Sequence, residues 1–222
     1  MKTLPLCFVF IAVLGTGVGC ERDLPYSTPP DEPISGYRLE GYITDRLGIP
    51  LKGIPIALWY EFDYIDMSPA PPREFFVDDS TKPVRVQVLD QSKRTLRILF
   101  DGRRWFGHLQ LNWDKRDSLG KPVPTGIYTV DFSVAGVSKG SYLVVVNGVV
   151  TTSTDSLGHY SIPNELLPIG FSPVPLYDDE GTTFLGNYVV SSFVVLELYL
   201  DVHRSAAMTL IKDQVTRFDF RI

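Results

Sequence analysis

The chain has 222 residues, of which 44% are hydrophobic and 21% charged, and its formal net charge is −5 at pH 7. This size and composition suit a globular protein of one large or two small domains. There is no block of basic residues, which excludes the electrostatic footprint of a nucleic-acid-binding protein. The 18 glycines, 17 prolines and many aromatic residues favour short strands joined by turns over long helices.

The first 19 residues have the layout of a secretory signal peptide. Lys2 precedes an apolar run from Leu4 to Leu14, which is too short to span a bilayer as a permanent helix. Small residues follow and end in Gly17-Val18-Gly19-Cys20. This ending resembles a bacterial lipobox, which implies a lipoprotein signal peptide over residues 1–19 and a diacylglycerol group on Cys20. The family usually has Leu where Gly17 stands, and the alternative is a plain cleaved signal and a secreted protein.

Cysteine usage agrees with lipid modification. The chain has two cysteines, Cys7 inside the signal and Cys20, so the exported protein would hold no disulfide and one thiol, which acylation removes. The acyl chains would anchor the protein in the outer membrane of the cell envelope, facing the periplasm or the outside. Residues 20–35, the lipidated cysteine and a segment with four prolines, are then an extended tether.

Beyond the tether, most apolar runs alternate with period two, which is typical of strands with one packed and one solvated face. The predicted packed faces are Tyr37, Leu39 and Ile43; Ile54, Ile56, Leu58 and Tyr60; Val84, Val86 and Val88; Leu109, Leu111 and Trp113; Tyr128, Val130, Phe132 and Val134; Leu196, Leu198, Leu200 and Val202; and Phe218, Phe220 and Ile222. A helical turn is expected only around residues 164–167. We therefore predict an all-β fold of antiparallel β-sandwich type.

Three tetrapeptides of one pattern separate strand-like segments: Asp45–Gly48, Asp117–Gly120 and Asp155–Gly158. Asp at the first position accepts hydrogen bonds from the following backbone, and Gly supplies a positive φ at the end. We therefore predict that all three are turns that reverse the chain.

The acidic stretch that begins at Asp114 raises the alternative of a calcium loop. An EF-hand loop needs acids at its third and fifth positions and a bidentate Glu at its twelfth. Arg116, Ser118 and Thr125 stand at these positions. The stretch is therefore interpreted as a turn.

Gly41–Leu58, "GYITDRLGIPLKGIPIAL", resembles the opening of the carboxypeptidase regulatory-like domain, a transthyretin-like β-sandwich. The family continues with a Thr-Asp-x-x-Gly-x-Tyr-x-Ile strand, which corresponds to Thr154–Ile162. More residues separate the two halves here than in the family. The resemblance covers an accessory sandwich and implies no peptidase activity.

Val84–Val134 is similar to the Ig-like domain of the flagellar hook-capping protein, relatives of which also occur as sorting modules on secreted bacterial proteins. The match rests on Leu99–Gly102, Gly107–Asp114 and Pro124–Tyr128. It implies that Trp113 is a core anchor and that Asp114 and Asp117 form turns. Lys93 stands where the family has Gly after its first turn, so we expect a differently shaped hairpin there.

Together the resemblances imply two nested modules. A transthyretin-like sandwich of residues 36–71 and 148–222 would carry an inserted Ig-like module of residues 72–147, since insertion at an exposed hairpin is tolerated. The alternative is three modules in series, but residues 35–66 could hardly bury a core alone.

The sequence gives no reason to predict catalysis. His108, His159 and His203 lie on separate predicted strands, without cysteines or paired acids at ligand spacing, which argues against zinc. A serine nucleophile is not expected either. Residues 177–181, "YDDEG", could bind a cation, but a solvated turn is the simpler interpretation. We therefore predict no catalytic residue, no metal and no cofactor.

Residues 102–108, "GRRWFGH", are the most suggestive surface, because Arg103 and Arg104 precede Trp105 and Phe106. Arg and Trp are typical anchors of protein interfaces. We predict a non-catalytic envelope lipoprotein that binds another envelope protein or gives structural support, with the membrane reached through Cys20. The alternative is a glycan-binding accessory protein, in which exposed aromatic residues such as Tyr42, Trp59, Trp105 or Phe106 stack on sugars, although a core or inter-module role is commoner for such residues.

Overall fold

The structure, a computed structural model, describes residues 35–222 except 70–71, 110, 179–182 and 201–203. Within these residues one 3₁₀ turn, Asn164–Leu166, stands among strands, so the predicted all-β fold and helical turn are confirmed. The signal peptide, Cys20 and nearly all of the tether lie outside the described residues. The strands are β1 (Tyr37–Thr44), β2 (Pro55–Asp66), β3 (Phe75–Val77), β4 (Pro83–Leu89), β5 (Thr95–Arg103), β6 (Gly107–Leu109), β7 (Gly126–Val134), β8 (Val137–Val146), β9 (Val149–Ser153), β10 (His159–Ile162), β11 (Val174–Tyr177), β12 (Phe184–Leu198), β13 (Arg204–Thr209), β14 (Gln214–Arg217) and β15 (Phe220–Arg221).

Two sheets enclose a first hydrophobic core. One has the order β10-β1-β14, with β15 also paired to β1, and the other has the order β11-β12-β2-β9, with β13 paired to β12. Inward residues such as Leu39, Leu58 and Leu196 are fully buried, as the alternation predicts. The pairing of β1 with β14 and β15 is parallel, which the alternation could not show, because it fixes the inward face of a strand and not the direction of its neighbour.

A second core lies against the sheet β5-β4-β7-β8, and the two-stranded sheet β3-β6 contributes to it. Val84, Val86 and Val88 of β4 are fully buried, in agreement with the prediction. Phe75 of β3 stacks on Phe132 of β7 with ring centroids 4.7 Å apart, which fixes the small sheet to the large one.

Two predicted strands are shorter or broken. β6 ends at Leu109, and Leu111 and Trp113 lie in irregular chain, because the Trp113 Nε1 donates to the Arg116 carbonyl at 2.7 Å and turns the segment back. The predicted strand at residues 196–202 also stops early, since β12 ends at Leu198. Val202 is outside the described residues.

The C-terminal strand is divided into β14 and β15 at a close crossing over β1. A Cβ atom on Gly41 would lie 1.8 Å from the Phe218 carbonyl oxygen, so the two backbones touch at this point. The Phe218 N–H donates to the Glu40 carbonyl, and the Tyr42 N–H donates to Asp219 Oδ1. Regular pairing with β1 resumes only at Phe220.

The two cores meet at a buried junction. Ile127 of β7 packs in the first core, whereas its neighbour Tyr128 packs in the second. Thr125 is fully buried, and its Oγ1 lies 2.8 Å from the Leu58 carbonyl oxygen and accepts the Val149 N–H at 2.9 Å. The two cores therefore belong to one compact unit of the chain.

Tyr60 strengthens the same junction. Its backbone exchanges two hydrogen bonds with the Asn147 side chain, at 2.7 and 3.0 Å, and its hydroxyl donates to the Leu166 carbonyl at 2.7 Å. Burial raises the pKa of Tyr60 far above its usual value, so the phenol is neutral and donates. Apart from Ile127, the buried members of the first core fall within residues 39–60 and 160–220, and those of the second within 75–146.

Candidate functional site

The acidic stretch at Asp114 is a turn closed by its own hydrogen bonds. Asp114 Oδ1 accepts from Arg97 Nη1 at 2.7 Å and from the Arg116 N–H at 3.1 Å. Desolvation tends to raise the pKa of Asp114, but the Arg97 and Arg116 hydrogen bonds and charges outweigh it and lower that pKa. Among the described residues no group of three His, Cys, Asp or Glu side chains is placed to hold a metal ion.

The three predicted Asp–Gly turns share one geometry. In each, the first Asp accepts the Gly N–H through its carbonyl and two further backbone N–H groups through Oδ1, at 2.8–3.0 Å. Gly48, Gly120 and Gly158 all have positive φ, between 72° and 83°. The turn prediction is confirmed at all three places.

The Asp90 turn, with Lys93 at its fourth position, has the same shape as the three Asp–Gly turns of this chain. Lys93 adopts φ 62°, its N–H donates to the Asp90 carbonyl at 3.0 Å, and Asp90 Oδ1 accepts the Arg94 N–H at 2.9 Å. A lysine therefore takes the left-handed conformation that glycine has in the other three turns. The hairpin between β4 and β5 closes in this shape, with the Asp90 N–H also donating to the Arg94 carbonyl at 3.0 Å, although a left-handed conformation is unfavourable for lysine.

The histidines are placed singly. His108 Nδ1 lies 3.3 Å from Glu74 Oε2, and His159 Nδ1 lies 4.0 Å from Asp155 Oδ2. His203 is outside the described residues, as is most of the acidic segment at residues 177–181.

Two short serine patterns occur in the chain, and neither has the setting of a nucleophile. Gly136–Gly140 reads Gly-x-Ser-x-Gly, but Gly136 lies in the tight turn after β7 and Val137–Gly140 begin β8, whereas a nucleophile elbow joins a strand to a helix. Its Ser138 hydroxyl donates to Asp131 Oδ1 at 2.6 Å. Ser118–Lys121 reads Ser-x-x-Lys and lies in the Asp117 turn, where the Ser118 N–H donates to the Leu96 carbonyl.

The predicted surface at Arg103–Phe106 consists of the last residue of β5 and the three residues that connect it to β6, and it is open to water. Trp105 is 85% exposed and Phe106 is 68% exposed, and both arginines are exposed as well. Within the described part of the chain, neither Arg103 nor Arg104 forms an ion pair. We call Arg103, Arg104, Trp105 and Phe106 the connector surface.

Phe76 extends the connector surface, which the sequence did not indicate. Its ring lies edge-on to Phe106 at 5.0 Å and to His108 at 5.2 Å, because the antiparallel pairing of β3 with β6 sets Phe76 opposite His108. The alternation of buried Phe75 with exposed Phe76 was the available signal. Only the pairing of β3 with β6 shows that Phe76 lies opposite His108.

The other aromatic candidates differ in setting. Tyr42 is half-buried, and its ring lies 5.0 Å from His159. Trp59 of β2 is 40% exposed on the outer face of its sheet, and its Nε1 donates to Glu197 Oε2 at 2.7 Å.

No protein-family model matches the chain, and no curated protein or solved structure is significantly similar to it. The resemblances to the carboxypeptidase regulatory-like domain and to the hook-capping Ig-like domain therefore stay predictions from their motifs. The described residues include no helix that is long and apolar enough to cross a membrane.

Proposed function

We propose that the protein is a lipid-anchored component of the bacterial cell envelope that acts by binding another envelope protein through the connector surface, and not by catalysis. The observation that carries the proposal is the exposure of Trp105 and Phe106 beside two arginines that form no ion pair within the described residues. Large aromatic side chains and arginines are the residues that most often dominate protein interfaces.

The energetics of this surface support binding. Full burial of a large apolar side chain contributes about 1.5–3 kcal/mol, so Trp105 and Phe106 together could contribute about 3–6 kcal/mol. That is a substantial part of the free energy of a micromolar complex, about 8 kcal/mol. Arg103 and Arg104 would add charge-assisted hydrogen bonds to acidic groups of a partner.

The support beneath the connector surface favours a defined binding geometry. β5 and β6, which flank it, are paired to β4 and β3, and Phe75 of β3 is stacked into the second core. Little conformational freedom would be lost on binding at the two ends of the connector, which favours affinity.

Attachment through Cys20 is proposed on the sequence alone. The signal-like residues 1–19 and the single remaining cysteine support it. Such an anchor would hold the protein at the outer membrane, with the connector surface available to a neighbour in the envelope.

Photocrosslinking in living cells tests the proposed interface. A benzoylphenylalanine replaces Trp105 in one variant and Leu119, which is 79% exposed, in a matched control. We expect a discrete crosslinked adduct from position 105 and none from position 119. Absence of an adduct at 105, or the same adducts at both positions, would contradict the proposal.

A further inference from the structure

The outer face of the β9-β2-β12 sheet carries an unusual aromatic surface. Trp59 is 40% exposed and Tyr199, just beyond β12, is 49% exposed, while Val150 and Phe193 on the same face are also exposed. The solvated face of an antiparallel sheet is normally polar, so an open aromatic face needs an explanation. We call Trp59, Val150, Phe193 and Tyr199 the outer aromatic face.

The Trp59 indole is held in one orientation. Its Nε1 donates to Glu197 Oε2 at 2.7 Å, across the neighbouring strand. Its six-membered ring lies on Gly148, where an added Cβ would come within 2.2 Å of the Trp59 Cζ2. Tyr199 converges on the same glycine, since its hydroxyl donates to the Gly148 carbonyl at 3.4 Å. An exposed ring that is already fixed loses little entropy when a ligand covers it.

The shape of this face suits an extended ligand. Trp59 pairs across the sheet with Val195, and Val195 pairs with Ala207, so small or flat side chains continue outward from the indole. A small molecule is usually enclosed in a concave pocket, which an open sheet face does not provide. A ligand that lies along the face and contacts several aromatic side chains fits better.

The charge of these strands restricts the ligand further. β2, β9 and β12 contain no lysine or arginine, whereas Glu61 lies on the same side of β2 as Trp59, and Glu197 holds the indole. The Glu61 carboxylate would repel an anionic polymer and can accept hydrogen bonds from hydroxyl groups.

From these observations we propose that the outer aromatic face binds a neutral glycan chain, with a pyranose ring stacked on Trp59. The apolar C–H side of a pyranose matches the fixed indole, and its equatorial hydroxyl groups point toward acceptors at the rim. This site is separate from the connector surface and does not depend on it.

The test uses the purified full-length protein with cellohexaose, xylohexaose and chitohexaose as neutral probes and polygalacturonate as the anionic control, measured by titration calorimetry. At least one neutral probe should bind, and Trp59→Ala should weaken it about tenfold or more, as expected for loss of a central aromatic anchor. Trp105→Ala, the matched control on the connector surface, should bind like the wild type.

Circular dichroism checks the folding of each variant. If Trp59→Ala fails to fold, Trp59→Phe takes its place, and a smaller but measurable weakening is expected. Absence of binding by all three neutral probes, undiminished binding by the folded Trp59 variant, or equal binding of polygalacturonate would overturn the proposal. So would concentration-dependent self-association that Trp59 substitution abolishes, because the face would then be a protein interface.

Discussion

Replacement of Thr125 by Val should weaken the buried junction and lower the free energy of unfolding. Val has almost the same shape, so the packing is kept, but the hydroxyl that accepts the Val149 N–H at 2.9 Å is lost. The Leu58 carbonyl keeps another donor, the Gly148 N–H at 3.0 Å, so the part-buried Val149 N–H is the one group left without a partner in the variant. An unsatisfied buried group costs about 1–3 kcal/mol, and we expect a loss of about 2 kcal/mol.

For a chain of this size, 1 kcal/mol shifts the melting temperature by about 2–4 °C, so Thr125→Val should melt about 4–8 °C below the wild type. Urea unfolding gives the free energy directly. Thr125→Ser is the matched control, because it keeps the hydroxyl and removes only a methyl group, which costs about 1 kcal/mol. A Thr125→Val protein as stable as the wild type, or a Thr125→Ser protein that loses more than Thr125→Val, would refute the role given to the hydroxyl.

Three further results are expected. Lys93→Gly should raise the free energy of unfolding by about 1 kcal/mol in urea titrations, since it relieves a left-handed non-glycine residue in the Asp90 turn; a less stable variant would contradict this. Gly148→Ala should displace the Trp59 indole, because the new Cβ would lie 2.2 Å from it, and an emission spectrum identical to that of the wild type would be evidence against the contact. Burial raises the pKa of Tyr128 to about 12, whereas an unfolded tyrosine ionises near 10. The stability gained from the neutral phenol is therefore complete below about pH 10 and is lost as the pH rises through 12. Phenolate absorbance and circular dichroism recorded together would show this loss.

Alternation was sufficient to predict the strands that face a core. Leu58 and Val86 are buried where period two places them, and the Asp-x-x-Gly pattern located three turns, including the one at Asp117. These features depend on residues close together in sequence, which is why the sequence alone reveals them. The Trp113 region was mispredicted, because a local hydrogen bond to Arg116 competes with extension.

Features that depend on distant residues could not be predicted. Trp59 and Glu197 are 138 residues apart in sequence, and only the pairing of β2 with β12 brings them together. The same holds for Phe76, which reaches Phe106 through the pairing of β3 with β6. The sequence indicated Trp59, Trp105 and Phe106 as candidates, whereas Phe76 and Tyr199 emerged only from the sheet pairing and the contacts beside it.

Attachment to the cell envelope is the central claim, because the lipid anchor at Cys20 would bring both proposed binding surfaces to the membrane. The most direct test is the intact mass of the protein extracted from membranes, beside a Cys20→Ala variant. We predict a mass that begins at Cys20 and includes acyl chains, and release of the variant from the membrane fraction. A mass without acyl groups, or a variant that stays in the membrane, would contradict the account and point to a secreted protein or to another mode of attachment.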